Sequence, residues 1–274
     1  MSVNRDNFCT FTRTDSLDKF HITRPPLHIF CYWVVIFGFL IGNIIYGQTN
    51  MNNLITTINF GGVNCYLLQS NTSYILIDNG YPAKRTYLEK ELERAGCMPG
   101  KLKLVVLTHG DHDHAGNSTF LRDKYSVKIA MHSDDSVMVE KGDMNWNRKD
   151  KPDKFSIMFR AMSLMSFFFK PGEFETFIPD LFIDENFDFA SYGFEAKIIH
   201  IPGHSKGSIG ILTSDGSFIC GDFLYNLFGK PSQEFCDNLA DFNASSEKIK
   251  NLKINTFYPG HVKTFTMEQF LKKY

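Results

Sequence analysis

Thr108-His109-Gly110-Asp111-His112-Asp113-His114-Ala115-Gly116-Asn117 is the stretch on which the reading of this chain turns. It places three histidines and two aspartates in six residues, directly after the predominantly apolar run 102–107. That run has the composition of a strand buried on both faces. Carboxylates and imidazoles at the end of such a strand are costly to bury unless they are paired or bind a metal. Residues 109, 111 and 113 alternate, so an extended loop projects them together while 114 turns towards a neighbouring position. Such a set can hold two cations a few Å apart. The competing reading is a solvated loop rich in His and Asp.

Three further stretches share one design. Residues 198–204 end in Pro202-Gly203-His204, 218–222 in Gly221-Asp222, and 257–261 in Pro259-Gly260-His261. Each is a short apolar run followed by glycine and then a metal-ligating side chain. Glycine lets the backbone turn sharply, which brings the next side chain to a common rim. Alone, each would be weak; in sequence after the first cluster they reinforce one another.

With these motifs the chain resembles the metallo-β-lactamase superfamily of binuclear metallohydrolases from about Leu54 onward. The resemblance includes Asn59-Phe-Gly-Gly-Val-Asn-Cys-Tyr-Leu-Leu68, Leu76-Ile-Asp-Asn-Gly80 and Pro202-Gly-His-Ser-Lys-Gly-Ser208. It implies an α/β fold, a four-layer αββα sandwich with metal at one edge of two sheets. It further implies that His109, Asp111 and His204 hold a first metal, that Asp113, His114 and His261 hold a second, and that Asp222 bridges both. Two Zn2+ per chain are then expected. The family motif H-x-H-x-D-H reads H-x-D-x-D-H here, with His112 in a spacer position. A carboxylate for an imidazole makes the first position harder, which keeps iron or manganese as alternatives to zinc.

The activity implied is hydrolysis of an ester, thioester, lactone or lactam carbonyl by a metal-bridged hydroxide. Asp113 and Asp222 are the expected catalytic carboxylates. A phosphodiesterase or nuclease of the same fold, or a non-hydrolytic iron enzyme, are the alternatives. Lys206 is a candidate for binding a substrate carboxylate, and Tyr225 for donating to an oxyanion or leaving group. Cys220 beside Asp222 reads as a buried strand residue.

Outward from the motifs, strands are expected at 54–60, 65–69, 74–77, 102–107, 127–131, 196–201, 209–213, 218–220 and 255–258. Helices are expected at 82–95, with Pro82 in its first turn, at 117–124, at 133–140 capped by Ser133, and from Ser245 or Ser246 to 252. Thr266-Met-Glu-Gln269 reads as a capping box. Residues 141–185 interrupt this pattern and are expected to form a helical insert, with a helix over 155–170. Its Met158, Met162, Met165 and Phe167-Phe168-Phe169 are candidates for a pocket wall, with helix packing as the simpler reading.

Hydrophobic residues make up 43% of the 274 and charged residues 22%, which excludes an unstructured chain and a disulfide-built miniprotein. Six cysteines without a CxxC pair read as reduced or buried thiols. The net charge of −1 advertises no broad cationic face, so a small molecule rather than nucleic acid is the expected partner. Residues 1–50 form an N-terminal extension to a catalytic domain at 51–274. Within the extension, the uncharged run 27–46 is long enough for a transmembrane anchor. Translation from Met1 would give a single-pass membrane protein, and translation from Met51 a cytoplasmic one.

Overall fold

Alternation within single strands defines the layers. In the computed structural model, which describes residues 54–71, 73–157, 172–227 and 229–274, strand β3 (Tyr74–Ile77) sends Tyr74 and Leu76 into one hydrophobic cluster and Ile75 and Ile77 into another. Its neighbour β4 (Leu102–Val106) splits in the same way, Leu102 and Val105 to one side and Leu104 and Val106 to the other. Strands that bury both faces need cover on both.

The first sheet has six strands. They are β1 (Leu54–Asn59), β2 (Asn64–Gln69), β3, β4, β5 (Lys128–Met131) and β7 (Leu181–Phe182), in that spatial order; β6 (Lys154–Phe155) lies elsewhere. β1, β2 and β3 pair antiparallel, whereas β3, β4, β5 and β7 run parallel. The second sheet is built from β8 (Ala196–His200), β9 (Ile209–Thr213), β10 (Ser217–Gly221), β14 (Thr256–Pro259) and β15 (Phe265–Thr266), with order β15-β14-β10-β9-β8. Only β10 and β14 are parallel in it.

Between the sheets, Ile75, Ile77, Leu104 and Val106 meet Ile198, Ile209, Ile211 and Ile219. Each such side chain contributes about 1.5–3 kcal/mol on burial. The outer face of the first sheet is covered by Leu88 and Leu92 of helix α1 (Arg85–Arg94) and by Leu121 and Tyr125 of α3 (Ser118–Tyr125). Between these helices lies a short one, α2 (His112–Ala115). The outer face of the second sheet is covered by Phe242 and Ile249 of α5 (Leu239–Lys250) and Phe270 of α6 (Met267–Leu271). The result is the expected αββα sandwich. Thr266 closes its capping box with Gln269.

Several local expectations are corrected. The helix expected at 133–140 starts as a 3-10 turn, Ser133–Asp135, and continues as α4 (Ser136–Lys141). His132, not Ser133, accepts from the Asp134 amide, at 3.3 Å. The helix expected from Ser245 begins at Leu239, because Asn238 caps it by accepting from the amides of Ala240 and Asp241. Ser245 and Ser246 are internal, and their hydroxyls donate to the carbonyls of Pro202 and Phe242.

Of the insert expected at 141–185, the helix expected over 155–170 falls largely outside the described residues, which are helical at Ile157. Phe155, expected at the start of that helix, instead pairs with β13 (Phe235–Cys236), as does Lys154. Residues 172–180 have no regular structure and lead into β7 at the edge of the first sheet. The hairpin of β11 (Tyr225–Leu227) and β12 (Lys230–Ser232) was also unexpected. The Met and Phe residues from 158 to 169, and the run 27–46, lie outside the described residues. Among the described residues, no helix is long and apolar enough to cross a membrane.

Candidate metal centre

Every expected ligand follows the same end of a strand. β4 leads to His109 and Asp111, β8 to His204, β10 to Asp222 and β14 to His261. The expected single extended loop gives only half of the first motif. Asp111 has extended backbone, but Asp113 and His114 sit on α2, which turns them to a second position. Glycine is required where these strand ends meet. A Cβ on Gly260 would lie 2.2 Å from Asp222 Oδ1 and 2.7 Å from the His114 ring, and one on Gly221 would lie 2.5 Å from the Thr108 hydroxyl.

The four imidazoles are held alike. His114 Nδ1 donates to Asp78 Oδ2 at 2.8 Å, His204 Nδ1 to the Phe235 carbonyl at 3.3 Å, and His261 Nδ1 to the Gly62 carbonyl at 2.9 Å. For His109 the link is indirect. Thr108 Oγ1 donates to Asp78 Oδ2 at 2.8 Å, so its oxygen is left to accept from His109 Nδ1 at 2.9 Å. Each ring thus spends Nδ1 on the scaffold and turns Nε2 inward, the arrangement that orients a metal-binding histidine.

At the centre, besides Asp111 Oδ1, three buried atoms have no hydrogen-bond partner: His109 Nε2, His114 Nε2 and Asp222 Oδ1. Donor atoms of these three residues lie within 4.8 Å of one another. The same holds for His109, Asp111 and His204, and for Asp113, His114 and His261. Asp222 lies between the last two sets, with Oδ1 3.3 Å from His114 Nε2 and Oδ2 3.1 Å from His261 Nε2 and 4.0 Å from His204 Nε2. Orphaned buried donors of this kind fit a cation. The seven expected residues are therefore all brought together. His112 is not among them; its ring stacks on Phe174 at 4.0 Å.

One residue enters the centre unannounced. Arg148 places Nη1 2.8 Å from Asp111 Oδ1 and Nη2 3.1 Å from both Asp111 Oδ2 and His204 Nε2. Burial opposes ionisation of Asp111, yet the Arg148 guanidinium and His109 hold its carboxyl well below the usual range. Burial, joined by the Arg148 charge, pushes the His204 imidazole down. At the other position the shift is opposite. Against the cost of burial, Asp222 and Asp113 raise His261 to about 10, and Asp222, Asp113 and Asp78 raise His114 well above its ordinary value.

Two more buried carboxylates support the site without entering it. Asp78 accepts from the Thr108 amide as well as from Thr108 Oγ1 and His114. Asp135 accepts from Ser205 Oγ at 2.6 Å and from the amides of Gly207 and Gly110, joining the two ligand-bearing loops. The sequence places Asp78 in a quoted motif but gives it no task. Arg148 and Asp135 carry no signal, since they stand among other charged residues and meet the site only through folding.

The two substrate candidates fare differently. Tyr225 reaches the centre, but its hydroxyl donates to Asp222 Oδ2 at 2.7 Å and its ring stacks on His261 at 5.2 Å. These contacts put Tyr225 beside two of the expected ligands. Lys206 is exposed and lines a cavity of about 210 Å3 with Arg148, Lys149, Ser205, Asp237 and Asp241. Cys220 is buried on β10 and burial pushes its thiol up, as expected of a strand residue. Cys65, Cys97 and Cys236 are likewise free and buried. His132 and His200 stack at 4.4 Å and form a separate group with Asp134.

Residues 58–261 match the family description of the metallo-beta-lactamase superfamily. The chain belongs to that superfamily. A beta-lactamase-like protein 2 homolog of Drosophila melanogaster is 26% identical over 73% of this chain and 58% of its own length. A hydroxyacylglutathione hydrolase of Haemophilus influenzae is 27% identical over 59% of this chain and 66% of its own length. The chain thus spans about six-tenths of such curated relatives. The fold is shared with the subclass B3 metallo-beta-lactamase BJP-1 of Bradyrhizobium japonicum, at TM-score 0.56 and 18% identity over 78% of this chain and 76% of that one. A metallo-beta-lactamase family protein of Thermus thermophilus gives TM-score 0.56 and 20% identity over 80% of this chain and 77% of that one. The family is one of metal-binding hydrolases, and the His and Asp clusters at the strand ends are consistent with metal binding.

Proposed function

We propose that residues 51–274 form a zinc-dependent hydrolase that cleaves a carbonyl bond in a small anionic substrate. The carrying observation is that His114 Nε2 and Asp222 Oδ1, buried and without hydrogen-bond partners, converge with Asp113 and His261 at one rim of the sandwich. A metal ion there supplies Lewis acidity, lowering the pKa of water and withdrawing charge from a carbonyl oxygen. Asp113, His114, Asp222 and His261 would hold it. Asp113 also faces the solvent. Its side chain is 24% exposed, against 12% or less for Asp111, His114, Asp222 and His261. It is the carboxylate placed to orient an attacking water and take its proton. Asp78 keeps His114 in the tautomer that leaves Nε2 free.

Zinc is favoured over iron or manganese because Arg148 pairs with Asp111, the carboxylate that stands where the family motif has a histidine. Among carbonyl bonds a thioester comes first, because relatives bear the name hydroxyacylglutathione hydrolase. Lys206, which lines a cavity with Arg148 and Lys149, would receive the anionic end of the substrate. The test is turnover of an acyl-thiol ester by the purified chain, before and after chelation and with zinc returned. Asp113→Asn should lower kcat roughly 1000-fold, the several kcal/mol that a metal-organised site supplies. Unchanged turnover in that variant, or in chelated protein, would contradict the reading.

A further inference from the structure

The family resemblance predicts two metal positions, but the first already contains a cation. We propose that the Arg148 guanidinium permanently occupies the Asp111–His204 side of the first position, so that the centre holds a single metal ion, on Asp113, His114, Asp222 and His261. The inference rests on the reading that this centre binds metal.

The lone pairs decide it. His204 donates through Nδ1 to the Phe235 carbonyl, so its Nε2 carries one lone pair. Arg148 Nη2 and Asp111 Oδ2 each lie 3.1 Å from that atom, and with Nδ1 carrying the ring proton Nη2 is the donor that takes the pair. The same nitrogen donates to Asp111 Oδ2 at 3.1 Å, while Nη1 lies 2.8 Å from Oδ1. A zinc ion at this position would need the His204 lone pair and an Asp111 oxygen at about 2.0–2.2 Å. Ion and guanidinium therefore compete for the same atoms.

Arg148 is also built in rather than passing through. Its side chain is 6% exposed. Nη1 donates to the Met144 carbonyl at 3.0 Å, and the guanidinium carbon sits 5.1 Å from the centre of the Phe235 ring, the residue whose carbonyl holds His204. An arginine keeps its charge at any working pH, which makes it a fixed substitute for a divalent ion. Replacing imidazole by Asp111 completes the exchange, since a carboxylate matches a guanidinium and a histidine does not. The unusual residue in the motif and the unexpected arginine are two halves of one change.

The experiment measures zinc per chain by elemental mass spectrometry, on the full chain loaded with excess zinc and then desalted. The wild type is expected to retain about one ion. Arg148→Ala frees Asp111 and His204 and is expected to retain about two. Asp111→Asn, a second variant in case the first misfolds, is expected to stay at about one. Two ions in the wild type would overturn the inference while leaving the hydrolase reading intact. So would an Arg148→Ala protein that is folded by circular dichroism and still holds one, or an Asp111→Asn protein that holds none. No zinc at all in the wild type would defeat the metal reading as well.

Discussion

The two halves of the centre use the same donor types and balance their charge in opposite ways. At the first position, Arg148 reaches Asp111 and His204 while His109 Nε2 stays without a hydrogen-bond partner, and the protein supplies a positive charge itself. At the second, Asp113 and Asp222 face His114 and His261, the Tyr225 hydroxyl donates to Asp222, and Asp222 Oδ1 and His114 Nε2 have no hydrogen-bond partner. Buried carboxylates need a counter-charge in either case. One half has it from the chain, and the other draws it from protons when no metal is bound. The lesson is that seven residues in a family pattern do not by themselves specify two ions, because an eighth can take the place of one.

The comparison breaks most visibly if single carboxylates are removed. Asp113→Asn should weaken zinc binding by well over the roughly 100-fold that outer partners cost, whereas Asp111→Asn should leave it nearly unchanged. Equal losses in a competition assay with a zinc chelator would erase the distinction. Asp78→Asn comes next. It disturbs the Nδ1 hydrogen bond of His114 and should cost about 10–100-fold in zinc affinity. Tyr225→Phe removes one hydrogen bond to an ionised group, worth about 1.5–3 kcal/mol. A loss of roughly tenfold in kcat with little change in fold is expected, and an unaltered kcat would show that the hydroxyl does not steady Asp222.

The smallest effect is one of pH. His261 is raised to about 10 by Asp222 and Asp113 against its burial. Its protonated pair therefore stabilises metal-free protein fully below the unfolded value near 6.5, and that contribution is lost as pH rises through the folded value. The Tm of chelated protein should fall by a few °C between about pH 6.5 and about pH 10. Zinc-loaded protein, whose imidazoles are already deprotonated, should not share this decline. Parallel curves for the two forms would contradict the assignment of His261 to the metal.

Much of this was legible in the sequence because the motifs follow strands. The runs before Thr108, Gly221 and Pro259 are short, apolar and end in glycine or a polar cluster, so periodicity alone placed β4, β10 and β14 and aligned their last residues. The αββα layering was legible only through the family resemblance. Within single strands, isoleucine and leucine fill both faces, and composition does not say which face meets the other sheet. Asn238 escaped notice as a helix cap because Ser245 and Ser246 offered equally good caps seven and eight residues later. Arg148 was illegible for a different reason. It lies in a polar stretch with Lys149, Lys151 and Lys154, and only the tertiary fold brings it beneath Phe235 and onto Asp111.

The most direct test of the whole account is anomalous X-ray scattering at the zinc edge from crystals of the loaded protein. The account predicts one peak per chain, among Asp113, His114, Asp222 and His261, with the Arg148 guanidinium still on Asp111 and His204. Two peaks a few Å apart, with Arg148 displaced from Asp111, would contradict it.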